Sequence, residues 1–224
     1  MFFSMSYFLF LAPALLLAFW AQMRMKANYA RASQIPAPMS GAAAAREILH
    51  RAGLYDIDIE QVPGVLSDHY DPRHKVLRLS QDVYHGKTLA AVGIAAHEVG
   101  HAIQDARNYF PLVVRNAAVP AASFGSNASL ILLILGGVLS FSPLIWLGII
   151  LFGVVVFFQV VNLPVEFDAS ARAKSQLVEL ALVNDRELPY VRKVLSSAAL
   201  TYVAATLQSI LTLLYYMTAV SNRR

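Results

Sequence analysis

The sequence has no cysteine and little charge. Without thiols there are no disulfides, no thiol nucleophile and no thiolate metal site, so any metal must be held by His, Asp or Glu. A cysteine-free chain fits a reducing compartment. Charged residues make up 14% of the 224 positions, against about 25% in average soluble domains, and mean hydropathy is +0.53. That excludes an ordinary water-soluble globule. A hydrophobic fraction of 57% excludes disorder. The net charge of +4 is too small to argue for a nucleic-acid partner.

The few charges are segregated. Residues 1–23, 116–165 and 194–222 carry none. All the acids, and every base except Arg223 and Arg224, lie in 24–115 and 166–193. A bilayer core needs roughly 20 apolar residues in helix. The first run holds one span, about Tyr7 to Gln22, with Pro13 inside it. The second is long enough for a hairpin of two, about 119–139 and 143–163, broken at Gly136-Gly137 and Ser140-Phe-Ser-Pro143. The third holds a last span, about 196–219. A cleaved signal peptide is the rival for the first run, but such peptides begin with basic residues, and here the bases follow the apolar core.

Four spans put both charged segments on one side of the membrane. Lys and Arg near span ends mark the cytoplasmic side. Arg24, Lys26, Arg31, Arg107, Arg115, Arg172, Lys174, Arg192 and Lys193 share one side; only Arg223 and Arg224 oppose them. The expected layout is therefore a first span in 1–23, a cytoplasmic domain in 24–115, a membrane hairpin in 116–165, a helical segment in 166–195, and a last span with its tail in 196–224. Both termini fall outside. No ionisable residue lies inside these spans, which argues against an ion pump or a proton-coupled transporter.

Segment 24–115 reads as a small mixed domain. Gln34-Ile-Pro-Ala-Pro38 is a linker. Ser40 can cap a helix over Ala42–Arg51, closed by Gly53. Short stretches at Ile57–Ile59, Val65–Leu66 and Val76–Leu79, with the turn signature Asp71-Pro-Arg-His74, predict a small meander or hairpin. Thr88 can cap a helix from Leu89 to about Ala106.

That helix carries His97-Glu-Val-Gly-His101. Histidines at i and i+4 lie on one helical face, so both imidazoles can reach one ion at about 2.0–2.1 Å. Glu98 beside them can take a proton from an activated water and pass it to a leaving amine. Zinc suits such a site. In a chain of this composition the pattern arises by chance on the order of 0.004 times. The alternative, a solvated helix with two idle histidines, conflicts with the apolar Ala90–Ala96 before it.

Leu66-Ser-Asp-His-Tyr-Asp-Pro-Arg73, Val76-Leu-Arg-Leu-Ser80, Ala95-Ala-His-Glu-Val-Gly-His-Ala-Ile-Gln104 and the later Leu163-Pro-Val-Glu-Phe-Asp-Ala-Ser-Ala-Arg172 together resemble the YugP-like neutral zinc metallopeptidases of bacterial membranes. The resemblance covers about 60–175 by motif and the whole chain by span pattern. It implies a gluzincin-type site, with two His from the helix and a downstream Glu. A more distant similarity, to the HtpX- and CAAX-type membrane proteases, departs at Ser170, where those proteins carry Asp. For the third ligand the sequence offers Glu166, Asp168, His69, His74 and His85; the resemblance implies Glu166. Zinc peptidases of this type also use an edge strand that pairs with an extended substrate. Val76–Ser80 or Leu66–Tyr70 are the candidates. His69, Tyr70 and Arg172 are candidates to stabilise an oxyanion, while His50 and His85 read as surface residues.

The expectation is a mainly α integral membrane protein of about four transmembrane helices, with a zincin-like cytoplasmic domain carrying a small β element. It would be a zinc metalloendopeptidase of the bacterial inner membrane, one zinc per chain, held by His97, His101 and Glu166. Glu98 would be the general base. Its partners would be the bilayer and membrane-protein or peptide substrates. The rival is an inactive membrane scaffold that keeps a structural zinc, and the presence of Glu98 argues against it.

Overall fold

In the computed structural model, residues 5–221 are described. They form α1 (Met5–Ala32), α2 (Gly41–Arg51), β1 (Asp58–Val62), β2 (His69–Asp71), β3 (Val76–Ser80), α3 (Gln81–Tyr84), α4 (Leu89–Ala106), α5 (Phe110–Val138), α6 (Ser142–Glu179) and α7 (Leu188–Ser221). Arg223 and Arg224, which weigh on the topology, lie outside the described residues.

Four helices, α1, α5, α6 and α7, are long and apolar enough to cross a membrane. All four outrun the apolar stretches that announce them. A helix ends where its backbone groups find other partners, not where its side chains turn polar. The clearest case is α6. The sequence suggests a span ending near residue 163 and a separate helical segment from 166; instead α6 runs unbroken through Pro164 and Glu166 to Glu179. It closes at Ala181 (φ +52°), where the Leu182 N–H donates to the Leu177 carbonyl. Gly136-Gly137 does not break α5 either. Gly136 lies within the helix, and a Cβ there would stand 2.8 Å from the Ile145 nitrogen of α6. The turn comes later, around Ser140 (φ +52°).

The chain divides into two compact units. Among the described residues, one contains 5–21, Val113–Leu163 and 201–221. Leu133, Ile145, Ile149, Tyr216 and Val220 form its buried cluster. Many of its larger apolar side chains, such as Phe124, Ile131, Ile150 and Phe157, are exposed, as a lipid-facing surface requires.

The other unit contains Gln22–Leu112 and Pro164–Leu200. Its core gathers Ile48 and Leu49 from α2, Leu77 and Leu79 from β3, Val92, Ala95, Ala96 and Val99 from α4, Leu177 from α6 and Val191 from α7. Both expected caps are in place: Ser40 accepts from the Ala43 N–H and Thr88 from the Ala91 N–H, each at 3.2 Å. Residues 34–38 are not a free linker. Ala37 N–H donates to Lys87 O, and Leu89 N–H to Ile35 O.

The β element differs from a meander. The sheet order is β1-β3-β2, with β1 parallel and β2 antiparallel to β3. β3, buried at four of its five positions, is therefore central and paired on both sides, so it has no free edge for a substrate. Only β2 and β3 form a hairpin, through the Asp71–Lys75 turn, where Lys75 takes φ +50°. Asp71 holds that turn by accepting from the Arg73 N–H and from Arg78 Nη1 at 2.7 Å. The stretch Val65–Leu66 is no strand: Gly64 (φ +108°) and Leu66 (φ +54°) bend the chain there.

Candidate metal centre

The geometry begins with the close approach of α4 to α6. At Gly100 a Cβ would meet the Ala169 carbonyl oxygen at 2.6 Å, backbone that cannot swing aside. Only glycine lets α4 sit this close. The approach brings Glu166 against the two histidines, because Glu166 lies one turn before Ala169 and Ser170 on α6.

His97, His101 and Glu166 each turn one ligand atom inward, and these atoms lie within 4.8 Å of one another. Glu166 Oε2 stands 3.2 Å from His97 Nε2 and 3.8 Å from His101 Nε2. Ligands held about 2.0–2.1 Å from one tetrahedral ion stand about 3.3 Å apart, so these two separations bracket what zinc needs. Glu166 is 4% exposed. A carboxylate buried so deeply needs a positive partner.

The surroundings also fit a metal, because they set the histidine tautomers. Gln104 is fully buried. Its amide nitrogen donates to the Val165 carbonyl and to Asp168 Oδ2, both at 2.8 Å. Both are acceptors only, so the opposite end of the amide is the oxygen. That oxygen lies 3.0 Å from His101 Nδ1. The proton therefore sits on Nδ1, which leaves the Nε2 lone pair facing Glu166. His97 Nδ1 lies 3.2 Å from Ser170 Oγ, which can accept in the same way. Ser170 thus touches a candidate ligand despite standing where the more distant proteases carry Asp.

Glu98 is half-buried beside this cluster. Burial pushes its carboxyl up to about 7; Glu166 and Asp68 add to the rise, while His97 and His69 oppose it. Burial alone would lower His97, but its hydrogen bond to Glu166 and the charge of Glu98 outweigh that, and the direction is upward. A bound dication would pull the Glu98 carboxyl back down.

The remaining sequence candidates fall in different places. His69 and Tyr70 lie on β2, at the sheet edge. His69 is exposed, with Nδ1 2.8 Å from the Ser67 carbonyl. The Tyr70 hydroxyl donates to Asp105 Oδ2 of α4 at 2.9 Å. Arg172 is committed elsewhere: its Nε donates to Asp168 Oδ2 at 2.6 Å, and its guanidinium lies over the Tyr109 ring. Asp168, two residues from Glu166, is outside the cluster but holds Gln104 in place. His74 is tied to Asp71, and exposed His85 to Gln61. Sequence reasoning missed Gln104 as the support of His101. Its one signal was a polar residue three positions after the second histidine.

Residues 7–221 match the family described as "Putative neutral zinc metallopeptidase". The chain belongs to this family. It is also 46% identical, over 97% of its length and 98% of the relative's, to the "Putative membrane protease YugP" of Bacillus subtilis (strain 168). No solved structure matches it. Family membership implies zinc, and the donor set of two imidazoles and a carboxylate suits it.

The geometry predicts that Gly100→Ala, by pushing α4 off Ala169, costs about 1–3 kcal/mol in overpacking. It should also weaken zinc binding about tenfold, as the loss of a supporting partner does. Melting and zinc titration of the purified variant check this. Zinc affinity equal to wild type would mean that this close approach does not set the site.

Proposed function

We propose that this family member is a membrane zinc metalloendopeptidase whose chemistry rests on His97, His101, Glu166 and Glu98. The observation that carries the reading is the Gln104 amide, which fixes the His101 tautomer with its Nε2 free for a metal. His97, His101 and Glu166 would hold the ion. When bound, zinc supplies a Lewis acid that polarises a peptide carbonyl and acidifies water.

The residues do the rest. Glu98 takes the proton from the attacking water and passes it to the departing amine. Ser170 and Gln104 keep both rings oriented. Among the described residues β2 has one unpaired edge, and the Tyr70–Asp105 bond fixes it to the site helix. An extended peptide would add there as a further strand, with His69 and Tyr70 near the reacting carbonyl. Arg172, tied to Asp168, would act through that carboxylate.

The test is metal removal. Purified protein should contain about one zinc per chain, since three protein ligands leave one open position. A chelator should abolish casein cleavage, and zinc should restore it. Full zinc with no cleavage would favour the scaffold instead.

The substrates proposed are membrane proteins or peptides close to the bilayer. The arrangement of charge along the sequence supports a cytoplasmic site in the inner membrane. A reporter in the exposed loop 63–66 should then read cytoplasmic, and one after Arg224 external. That loop is preferable to 34–38, whose backbone is hydrogen-bonded. The same side for both reporters would rule out four spans.

A further inference from the structure

A polar cavity lies in the same unit as the metal centre. Its volume is about 370 Å³, within the range of small-ligand sites. Arg51, Arg107 and Arg172 converge on it from three elements: the last turn of α2, the C-cap of α4 and the body of α6. Ser175, Gln176 and Glu179 of α6 complete its polar wall.

The charge balance is one-sided. Glu179 is the only acid in the wall, and it is bound by its own helix through Ser175 Oγ and Gln176 Nε2. Arg172 is already ion-paired with Asp168 through Nε and lies over the Tyr109 ring, so it brings only its two terminal nitrogens to the cavity. Arg51 and Arg107 have no ion pair among the described residues. A basic residue at a helix C-terminus is common, because it meets the negative end of the helix dipole. That explains either arginine singly. It does not explain why the two meet a third, from the side of another helix, over one cavity.

The cavity is not the substrate cleft. Ile103 lines it, two residues from His101 and so about 200° around α4 from that ligand. Ser175 and Gln176 stand three and four residues after Arg172 and four and three before Glu179, so the four share a face of α6, turned away from Glu166 and Ser170.

We infer that this cavity is a binding site for a phosphate group, gripped by Arg51, Arg107 and Arg172. Guanidinium forks match phosphate oxygens two at a time, and Ser175 and Gln176 add neutral donors. The phosphate has two possible sources, free phosphate or a lipid headgroup. The site does not depend on peptidase activity.

The test uses the full chain in a nonionic detergent at constant ionic strength. Inorganic phosphate is titrated against it and followed by phosphorus NMR line broadening and by melting. The same chain is then placed in nanodiscs of phosphatidylcholine, with and without phosphatidic acid. The Arg51→Gln/Arg107→Gln variant removes two exposed, unpaired groups; its circular dichroism and anion-free melting serve as folding controls. Saturable phosphate binding, weakened at least about tenfold in the variant, supports the site with free phosphate as ligand. Stabilisation by phosphatidic acid only, lost in the variant, supports it with the lipid as ligand. Chloride acting as well as phosphate, no response in either medium, or a response unchanged in the variant overturns it. Line broadening on the wild type decides the binding question even if the variant does not fold.

Discussion

Glu98→Gln is expected to keep the fold and the zinc but to lose peptide hydrolysis by about a hundred- to ten-thousand-fold, the usual contribution of a positioned general base. The substitution is nearly isosteric. It removes a carboxyl whose ionisation burial already disfavours, so stability should hold or rise slightly. Glu98 is also not among the three residues that converge their ligand atoms, so zinc content should stay near one per chain. The decisive signature is the split between retained metal and lost turnover. If the variant loses zinc as well, Glu98 is a ligand and the assignment of roles is wrong. If it keeps both zinc and activity, the proton is handled by another group, and Asp68, whose carboxyl is also raised by burial, becomes the first alternative.

How much of this was written in the sequence depends on how local the signal is. The helix Leu89–Ala106 was legible in its start and its approximate end, because Thr88 caps it and the apolar pattern runs along it. The spans were legible as charge-free runs, but their helix ends were not. Polarity changes where lipid would stop, while α6 carries its hydrogen bonds on to Glu179. That continuity makes Glu166 an interior helical residue rather than a loop residue. Sheet pairing was the least legible part. Ile57–Ile59 reads as a short strand, but only tertiary contact extends it over Asp58–Val62 and makes it parallel to β3, leaving β2 on the far edge. Gln104 was hidden because a buried glutamine has meaning only through Val165 and Asp168, about sixty positions away.

Glu166 carries the second large effect. Glu166→Ala should weaken zinc binding by about a hundredfold or more, beyond the 10–100-fold typical of supporting partners, and abolish hydrolysis. Among the described residues, its carboxylate is the only acidic group that joins both imidazoles in the cluster. With two ligands left on α4, the site falls short of the three that a catalytic zinc keeps. Asp168 is the control on the same helix. It does not join the cluster, but through Gln104 it steadies His101. Asp168→Ala should therefore cost at most about tenfold in affinity and leave metal near one per chain when zinc is in excess. Melting separates the two cases. A metal that binds only the folded state raises stability by RT ln(1 + [L]/Kd). The zinc-induced rise in melting temperature should then vanish in Glu166→Ala and persist, reduced, in Asp168→Ala. The reverse pattern, zinc lost with Asp168 and kept without Glu166, would move the third ligand to Asp168. It would also mean that the contact between Glu166 and the histidines is an ion pair rather than part of a metal site.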